Sequence, residues 1–139
     1  MSKNWSADIN AMHKKFGIGK VTAKLDEENL YRYLTFRFDF LQEELNEGYA
    51  ALESRDPEEV VDALIDLCVV ALGTLDAYKV SPTKAWNAVL SANMKKKVGI
   101  KASRPNPYGL PDLIKPEGWK APSHAKNHGL IAKAMGFKG

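Results

Sequence analysis

Apolar positions along this chain recur at intervals of three and four residues, a spacing that predicts helices rather than strands. The densest run is residues 58–75, EEVVDALIDLCVVALGTL, in which Asp62 and Asp66 are the only charges between Val60 and Leu75. On a helix, Val60, Leu64, Leu67, Ala71 and Leu75 form the main stripe, and Val61, Ile65, Val69 and Leu72 fill its flanks. Glu59, Asp62 and Asp66 gather on the opposite side. A helix that is apolar nearly all round is normally buried. Two like-charged carboxylates one turn apart are costly to bury unless something positive neutralises them. The pattern asks for a cation.

The same spacing predicts the neighbouring elements. Residues 5–16 form a short helix, with Ser6 as N-cap and Ile9, Met12 and Phe16 on one face. Residues 16–25, FGIGKVTAKL, read as a loop, and their GIGKVT lacks the glycine spacing and the GK[ST] ending of a phosphate loop. A long second helix runs from about Asp26 to Ser54 with a stripe of Leu30, Leu34, Phe38, Leu41, Leu45 and Leu52. Glu44 and Glu47 lie to one flank of that stripe, Glu43 points further round, and Arg37 precedes Glu44 by two turns. Asp56-Pro57 opens the third helix, which extends to about Tyr78 with Gly73 as a close-packing point. Ser81-Pro82 opens a fourth, with Trp86, Val89, Leu90 and Met94 inward and Lys95, Lys96 and Lys97 at the negative end of its dipole.

From Val98 the periodicity stops. Residues 102–124 hold five prolines and three rings, Tyr108, Trp119 and His124, and read as an extended arm in which Trp119 is an anchor. Residues 125–139 fit a short amphipathic helix or a frayed tail. No strand is expected. The predicted architecture is an all-α antiparallel helical bundle forming a single domain over 1–139, with a helical core over about 5–98 and a basic arm over 99–139.

At 139 residues the chain can bury a real core. No apolar run approaches the roughly 20 residues a bilayer span needs, and MSKNWSADIN has no basic-then-apolar signal pattern. No membrane partner is expected, and the cytoplasm is the default location. Cys68 is the only cysteine, so no intrachain disulfide forms, and it is expected to be an inert core residue. His13, His124 and His128 show no metal-ligand spacing and read as incidental. Charge is split: residues 1–93 carry ten Lys or Arg against fifteen Asp or Glu, while residues 94–139 carry ten against two. The apolar circumference of the third helix exceeds what one short bundle can cover, so self-association as a homodimer or homotetramer is expected.

Two antiparallel helices joined by a short turn can face Glu43, Glu44 and Glu47 toward Glu59, Asp62 and Asp66. Converging carboxylate oxygens suit a hard divalent cation, Mg²⁺ or else Mn²⁺, rather than zinc. Taken alone, Glu43, Glu44 and Glu47 would pass for a solvated helix face. A rival reading, a helical nucleic-acid-binding or interaction protein using the basic arm, accounts for residues 94–139 but leaves Asp62 and Asp66 uncompensated.

LQEELNE (41–47) followed by EEVVDALIDLCVVALGTL resembles the MazG-like all-α nucleoside triphosphate pyrophosphohydrolases, whose motifs are EExxE and, after a gap, ExxD. The chain is similar in particular to small single-domain phage and bacterial members, through Gly73-Thr74, the Asn93-Met94-Lys95-Lys96 run and the Lys115–Pro122 run of the arm. The resemblance covers about residues 8–123. It implies Mg²⁺-dependent hydrolysis of nucleoside or deoxynucleoside triphosphates to monophosphate and pyrophosphate, in the host cytoplasm if the chain is phage-encoded. It places Glu44 and Glu47 as metal ligands with Glu43 alongside, and Glu43 or Glu44 as the residue acting on water. The second motif departs from the pattern. If Asp66 is its aspartate, Ala63 stands where the glutamate belongs and Asp62 takes its place; if Asp62 is the aspartate, Glu59 completes the motif. Asp66 with Asp62 is the favoured pair, with Glu59 outside. Asn93 and Lys96 are the leading phosphate candidates, with Lys95, Arg37 and Arg104 behind them. Trp119 or Tyr108 could stack on a base, and nucleic acid is not the expected partner.

Overall fold

The computed structural model describes residues 1–2 and 4–139. The helices expected from the sequence are present: α1 (Trp5–Phe16), α3 (Glu27–Ser54), α4 (Pro57–Ala77) and α5 (Pro82–Met94). Among the described residues 61% are helical, so the all-α architecture holds. The caps explain the boundaries. Asp26 accepts from the Asn29 N–H to start α3, and Asp56 accepts from the Glu58 and Glu59 N–H groups ahead of Pro57 at the start of α4. The cap of α1 is Asn4, which accepts from the Ala7 N–H, and not Ser6.

Three segments differ from expectation. The loop expected over 16–25 contains a short helix, α2 (Ile18–Thr22), stabilised by burial of Thr22 and entered through Gly17 in the left-handed region. The arm contains an antiparallel strand pair, β1 (Lys97–Gly99) and β2 (Asp112–Ile114), so Lys97 belongs to a strand and not to a helix end. Three residues per strand give too short an alternation to register against the prolines around them. The C-terminal segment takes the helical alternative as α6 (Leu130–Ala134), with Ala134 fully buried.

The chain divides into two compact units. One comprises Met1–Pro82 with Lys126–Gly139, the other Thr83–Ala125. In the first, α3 and α4 pack as an antiparallel hairpin, α1 and α2 lie against α4, and α6 lies against α3. Leu30, Leu34, Ala77, Tyr78, Val80 and Ala134 form the core, and the Tyr78 hydroxyl donates to the Leu30 carbonyl. The second unit carries most of α5 and the strand pair.

Leu30 and Leu34 of the expected α3 stripe are buried, but beyond them the buried faces of α3 and α4 depart from the stripes of large apolar residues. On α3, burial follows Leu30, Leu34, Glu44 and Ala51, with Arg37, Leu41 and Gly48 half-buried on the same side. On α4 it follows Ala63, Val70, Gly73, Thr74 and Ala77. Small residues dominate the seam because the helices approach closely: a Cβ on Gly48 would sit 3.5 Å from the Ala63 Cβ. The bulky residues face outward instead. Phe38, Leu45 and Leu52 on α3 and Leu64 on α4 are exposed, as are Met12 and Phe16 on α1. Trp86, Leu90 and Met94 on α5, expected inward, are exposed as well. Cys68 is half-buried beside an apolar cavity lined by Trp5, Ile9, Ile65, Val69 and Leu72.

No helix is long and apolar enough to cross a membrane among the described residues.

Candidate active site

The α3–α4 seam is arranged in layers, read from the core toward the connecting turn. Next to the core is a polar cross-link. The Arg37 guanidinium donates from Nε to Thr74 Oγ1 and from Nη2 to the Val70 carbonyl, both at 3.0 Å, and the Thr74 hydroxyl donates to that same carbonyl at 2.7 Å. Asp76 binds α1 to α4: its Oδ2 pairs with His13 Nδ1 at 2.8 Å, and its Oδ1 accepts from Asn10 Nδ2 at 2.9 Å. Gly73 makes room for both groups. A Cβ there would meet Arg37 Nη2 at 3.0 Å and His13 Nε2 at 3.3 Å.

His13 is therefore a buried, hydrogen-bonded residue and not an incidental one. The sequence offered a weak signal for it: Asn10 and His13 lie three apart on one helical face, and Asp76 closes an apolar helix. Arg37, considered for phosphate, spends two of its three nitrogens on α4.

Two helical turns further along α3 stands Glu44. It is 7% exposed, and its Oε2 is buried with no hydrogen-bond partner. Burial raises its pKa above the ordinary 4.5, and the charges of Glu47, Asp66, Glu43 and Asp62 raise it further, in that order. Five carboxylates thus share one electrostatic neighbourhood built from both helices. Glu43, Glu47 and Asp62 are exposed and Asp66 is half-buried. Glu59, exposed in the first turn of α4, is not among the groups acting on Glu44. No Lys, Arg or His forms an ion pair with any of the five among the described residues.

Ala63, at the position where a second-motif glutamate would fall three before Asp66, is buried against Gly48.

The chemistry of this donor set fits a hard divalent cation. Glu44 Oε2 is desolvated and unpartnered, and the charges of four carboxylates on the two helices act on its group, a combination that a positive charge would relieve. Among the described residues, no three His, Cys, Asp or Glu side chains converge to coordination distance.

The remaining candidates lie in the second unit. Asn93 and Lys95 are exposed near the end of α5, and Lys96 is half-buried just beyond it. The Trp119 indole N–H donates to the Ala92 carbonyl at 2.8 Å. The Lys115 and Lys96 ammonium groups stand over its ring at 5.0 and 5.4 Å. Trp119 thus pins the arm to the end of α5. Arg104 pairs with Asp112.

The family model for phosphoribosyl-ATP pyrophosphohydrolase matches residues 9–93, well over half of the chain and inclusive of the whole acidic seam. The chain belongs to this family. The family sits within the MazG-like all-α nucleoside triphosphate pyrophosphohydrolases, so the resemblance carried by LQEELNE and its downstream motif is upheld. Neither the comparison with curated proteins nor that with solved structures returned a match. Membership makes the chain a pyrophosphohydrolase of the type that acts on nucleotides, and such enzymes typically use divalent metal ions.

Proposed function

We propose that the chain hydrolyses nucleoside or deoxynucleoside triphosphates to the monophosphate and pyrophosphate, with Mg²⁺ held by carboxylates of α3 and α4. The observation that carries this reading is the buried, unpartnered Oε2 of Glu44, acted on by four further carboxylates, with no ion pair to any of the five among the described residues. Glu44, Glu47, Asp62 and Asp66 are the ligand set, with Glu59 as an outer residue. A divalent cation there supplies charge neutralisation of the triphosphate oxygens and a lowered pKa for water. Glu43, exposed beside Glu44, orients a water and accepts its proton as the water oxygen bonds to phosphorus. The phosphorus–bridging oxygen bond breaks, and pyrophosphate leaves with the bridging electron pair. Arg37 Nη1, which makes no hydrogen bond among the described residues, is one candidate for the outgoing phosphates, and Asn93, Lys95 and Lys96 in the second unit are candidates taken by themselves. Trp119 is the candidate stacking ring. The whole of 1–139 acts as one functional domain with a C-terminal arm, in the cytoplasm.

Incubation with a panel of ribo- and deoxyribonucleoside triphosphates and Mg²⁺ should yield monophosphate and pyrophosphate in equal amounts. Asp66→Asn should remove turnover and leave the circular dichroism spectrum unchanged. Absence of product with every nucleotide, together with a melting curve unmoved by Mg²⁺, would refute the assignment.

The outward apolar face supports self-association into a homodimer or homotetramer. Phe38, Leu45, Tyr49 and Leu52 share one side of α3, and Val61, Leu64, Ile65 and Val69 one side of α4; all are exposed in the single chain. A contiguous apolar surface of this kind marks an interface. Leu64→Lys should shift the sedimentation coefficient to that of a monomer, and a wild-type chain already monomeric at micromolar concentration would exclude the interface.

A further inference from the structure

Residues 126–139 lie beyond the stretch that the family model matches, yet they pack as part of the first unit. The chain leaves that unit after Pro82 and re-enters it at Lys126, and one side chain ties the two crossings together. Asn127 Oδ1 accepts from the Ser81 N–H at 2.8 Å, and its Nδ2 donates to the Ser81 carbonyl at 3.0 Å. Further on, the Leu130 N–H donates to the Tyr78 carbonyl at 2.7 Å and Lys133 Nζ to the Leu25 carbonyl at 3.2 Å. Each of these four bonds ends on a main-chain atom of the helical body. Tyr78 follows the last turn of α4, where carbonyls have no intrahelical donor and turn to water when nothing else is offered.

The apolar hold on the segment is shallow. Ala134 is fully buried, and Leu130 and Ile131 are half-buried against the core of Leu30, Leu34, Tyr78 and Val80. The Phe137 ring stands 5.6 Å from that of Tyr31. The deepest anchor is therefore one alanine methyl, and burying so small a group stabilises little. α6 has five residues and no side-chain cap, too short to be helical alone, so it is helical because it is docked. Charge adds a diffuse attraction. The segment holds Lys126, Lys133 and Lys138 with no Asp or Glu, and it passes the acidic first turn of α3, where a Cβ on Gly136 would stand 3.2 Å from Glu27 Oε2. The body has its own ties. Arg37 joins α3 to α4 and Asp76 joins α1 to α4 through bonds in which no residue of 126–139 takes part.

We propose that residues 126–139 are a releasable strap, a peptide ligand carried by the chain itself. It is seated on a site formed by Leu25, Leu30, Leu34, Tyr78, Val80 and Ser81, leaves that site while α1, α3 and α4 stay folded, and can be replaced there by a second copy of the same peptide. The fit is strictest at Gly129. Its φ of 50° lies in the left-handed region, and a Cβ there would overlap the Tyr78 carbonyl oxygen and lie 2.8 Å from that of Lys79. A separate peptide presents the same Asn, Gly and Ala in the same order, so the vacated site accepts it equally. The site meets α3 at residues 30–34 and the chain after α4 at 78–81, away from the acidic residues 43–47 and 62–66, so the proposal does not depend on hydrolysis there.

Two measurements on the full chain test this. In amide hydrogen exchange of the wild type, the Leu130 and Met135 N–H groups should exchange at least about tenfold faster than those in the middle of α3 and α4, because the strap opens by itself. The second measurement is fluorescence polarisation with a labelled synthetic peptide of residues 126–139. Gly129→Ala should unseat the strap, keep the helical circular dichroism of the body and bind the peptide. The wild type, whose site is filled, should bind it at least about tenfold more weakly. A peptide carrying Ala134→Asp should bind neither chain, since that position is fully buried. Strap amides that exchange no faster than those of α3 and α4, a Gly129→Ala chain that loses the helices of the body, or a folded variant that ignores the peptide would overturn the proposal.

Discussion

Replacing Glu44 with Gln is expected to lower turnover at least about a hundredfold while raising the melting temperature of the metal-free protein. The two effects share one cause. Glu44 is buried beside Glu47, Asp66, Glu43 and Asp62, and its folded-state pKa lies above 4.5. A raised carboxylate pKa means that the folded state binds a proton more tightly than the unfolded chain does. Its stabilising contribution is therefore complete below the unfolded pKa and is lost as pH rises through the folded value. At neutral pH and without metal, the ionised group works against the fold. Gln keeps the shape and removes the charge, so the fold gains and the metal loses a ligand. The same sign governs the wild type with Mg²⁺. Binding requires the carboxylate form, so the rise in melting temperature on adding Mg²⁺ should be larger at pH 8 than at pH 5. Paired melting curves with and without Mg²⁺ check both statements. A Gln variant less stable than wild type in chelator would contradict them.

Gly73→Val should cost about 3 kcal/mol, a fall of roughly 10 °C in melting temperature. No Cβ fits at Gly73 without displacing Arg37 Nη2 and His13 Nε2. The γ-methyl groups of valine reach beyond that Cβ, so they should weaken the Arg37 bonds to Thr74 and Val70 and strain the His13–Asp76 pair. Those groups are half or fully buried, so each lost bond leaves a polar atom without water to replace its partner. Arg37→Leu, which vacates one of the two positions, should recover part of the loss when combined with Gly73→Val. Chemical denaturation of the three variants measures the coupling, and strict additivity would show that Arg37 is not the obstacle.

Most helix starts were legible in the sequence because caps are local: Asp26 and Asp56-Pro57 act within a few residues of themselves, while at α1 the cap is Asn4 and not Ser6. Helix faces were legible only in part: Leu30 and Leu34 lie in the core as their spacing predicts. A stripe analysis gives weight to bulky apolar residues, and it selected Phe38, Leu45, Leu52 and Leu64, which face outward here. The seam is made instead of Gly48, Ala51, Ala63, Gly73 and Ala77, residues that carry little apolar signal but permit close approach. The expected burial of Asp62 and Asp66 does not hold, since Asp62 is exposed and Asp66 half-buried; the buried carboxylate is Glu44, which taken alone reads as part of a solvated face. The His13–Asp76 pair was not legible, since its members are 63 residues apart and only the packing of α1 on α4 brings them together.

Between α3 and α4 the chain turns on Arg55 in the left-handed region and Asp56 in the extended one. The Arg55 and Asp56 N–H groups are bonded back to the Leu52 and Ala51 carbonyls. Closing so short a connection costs little loop entropy, and contacts between near neighbours in sequence form early in folding. Residues 43–47 and 62–66 therefore meet before the distant α1 and α6 need dock, and they meet as a concentration of negative charge. If the proposed divalent cation binds this seam, it should speed refolding as well as raise the melting temperature, because it neutralises the repulsion at the step where the seam forms.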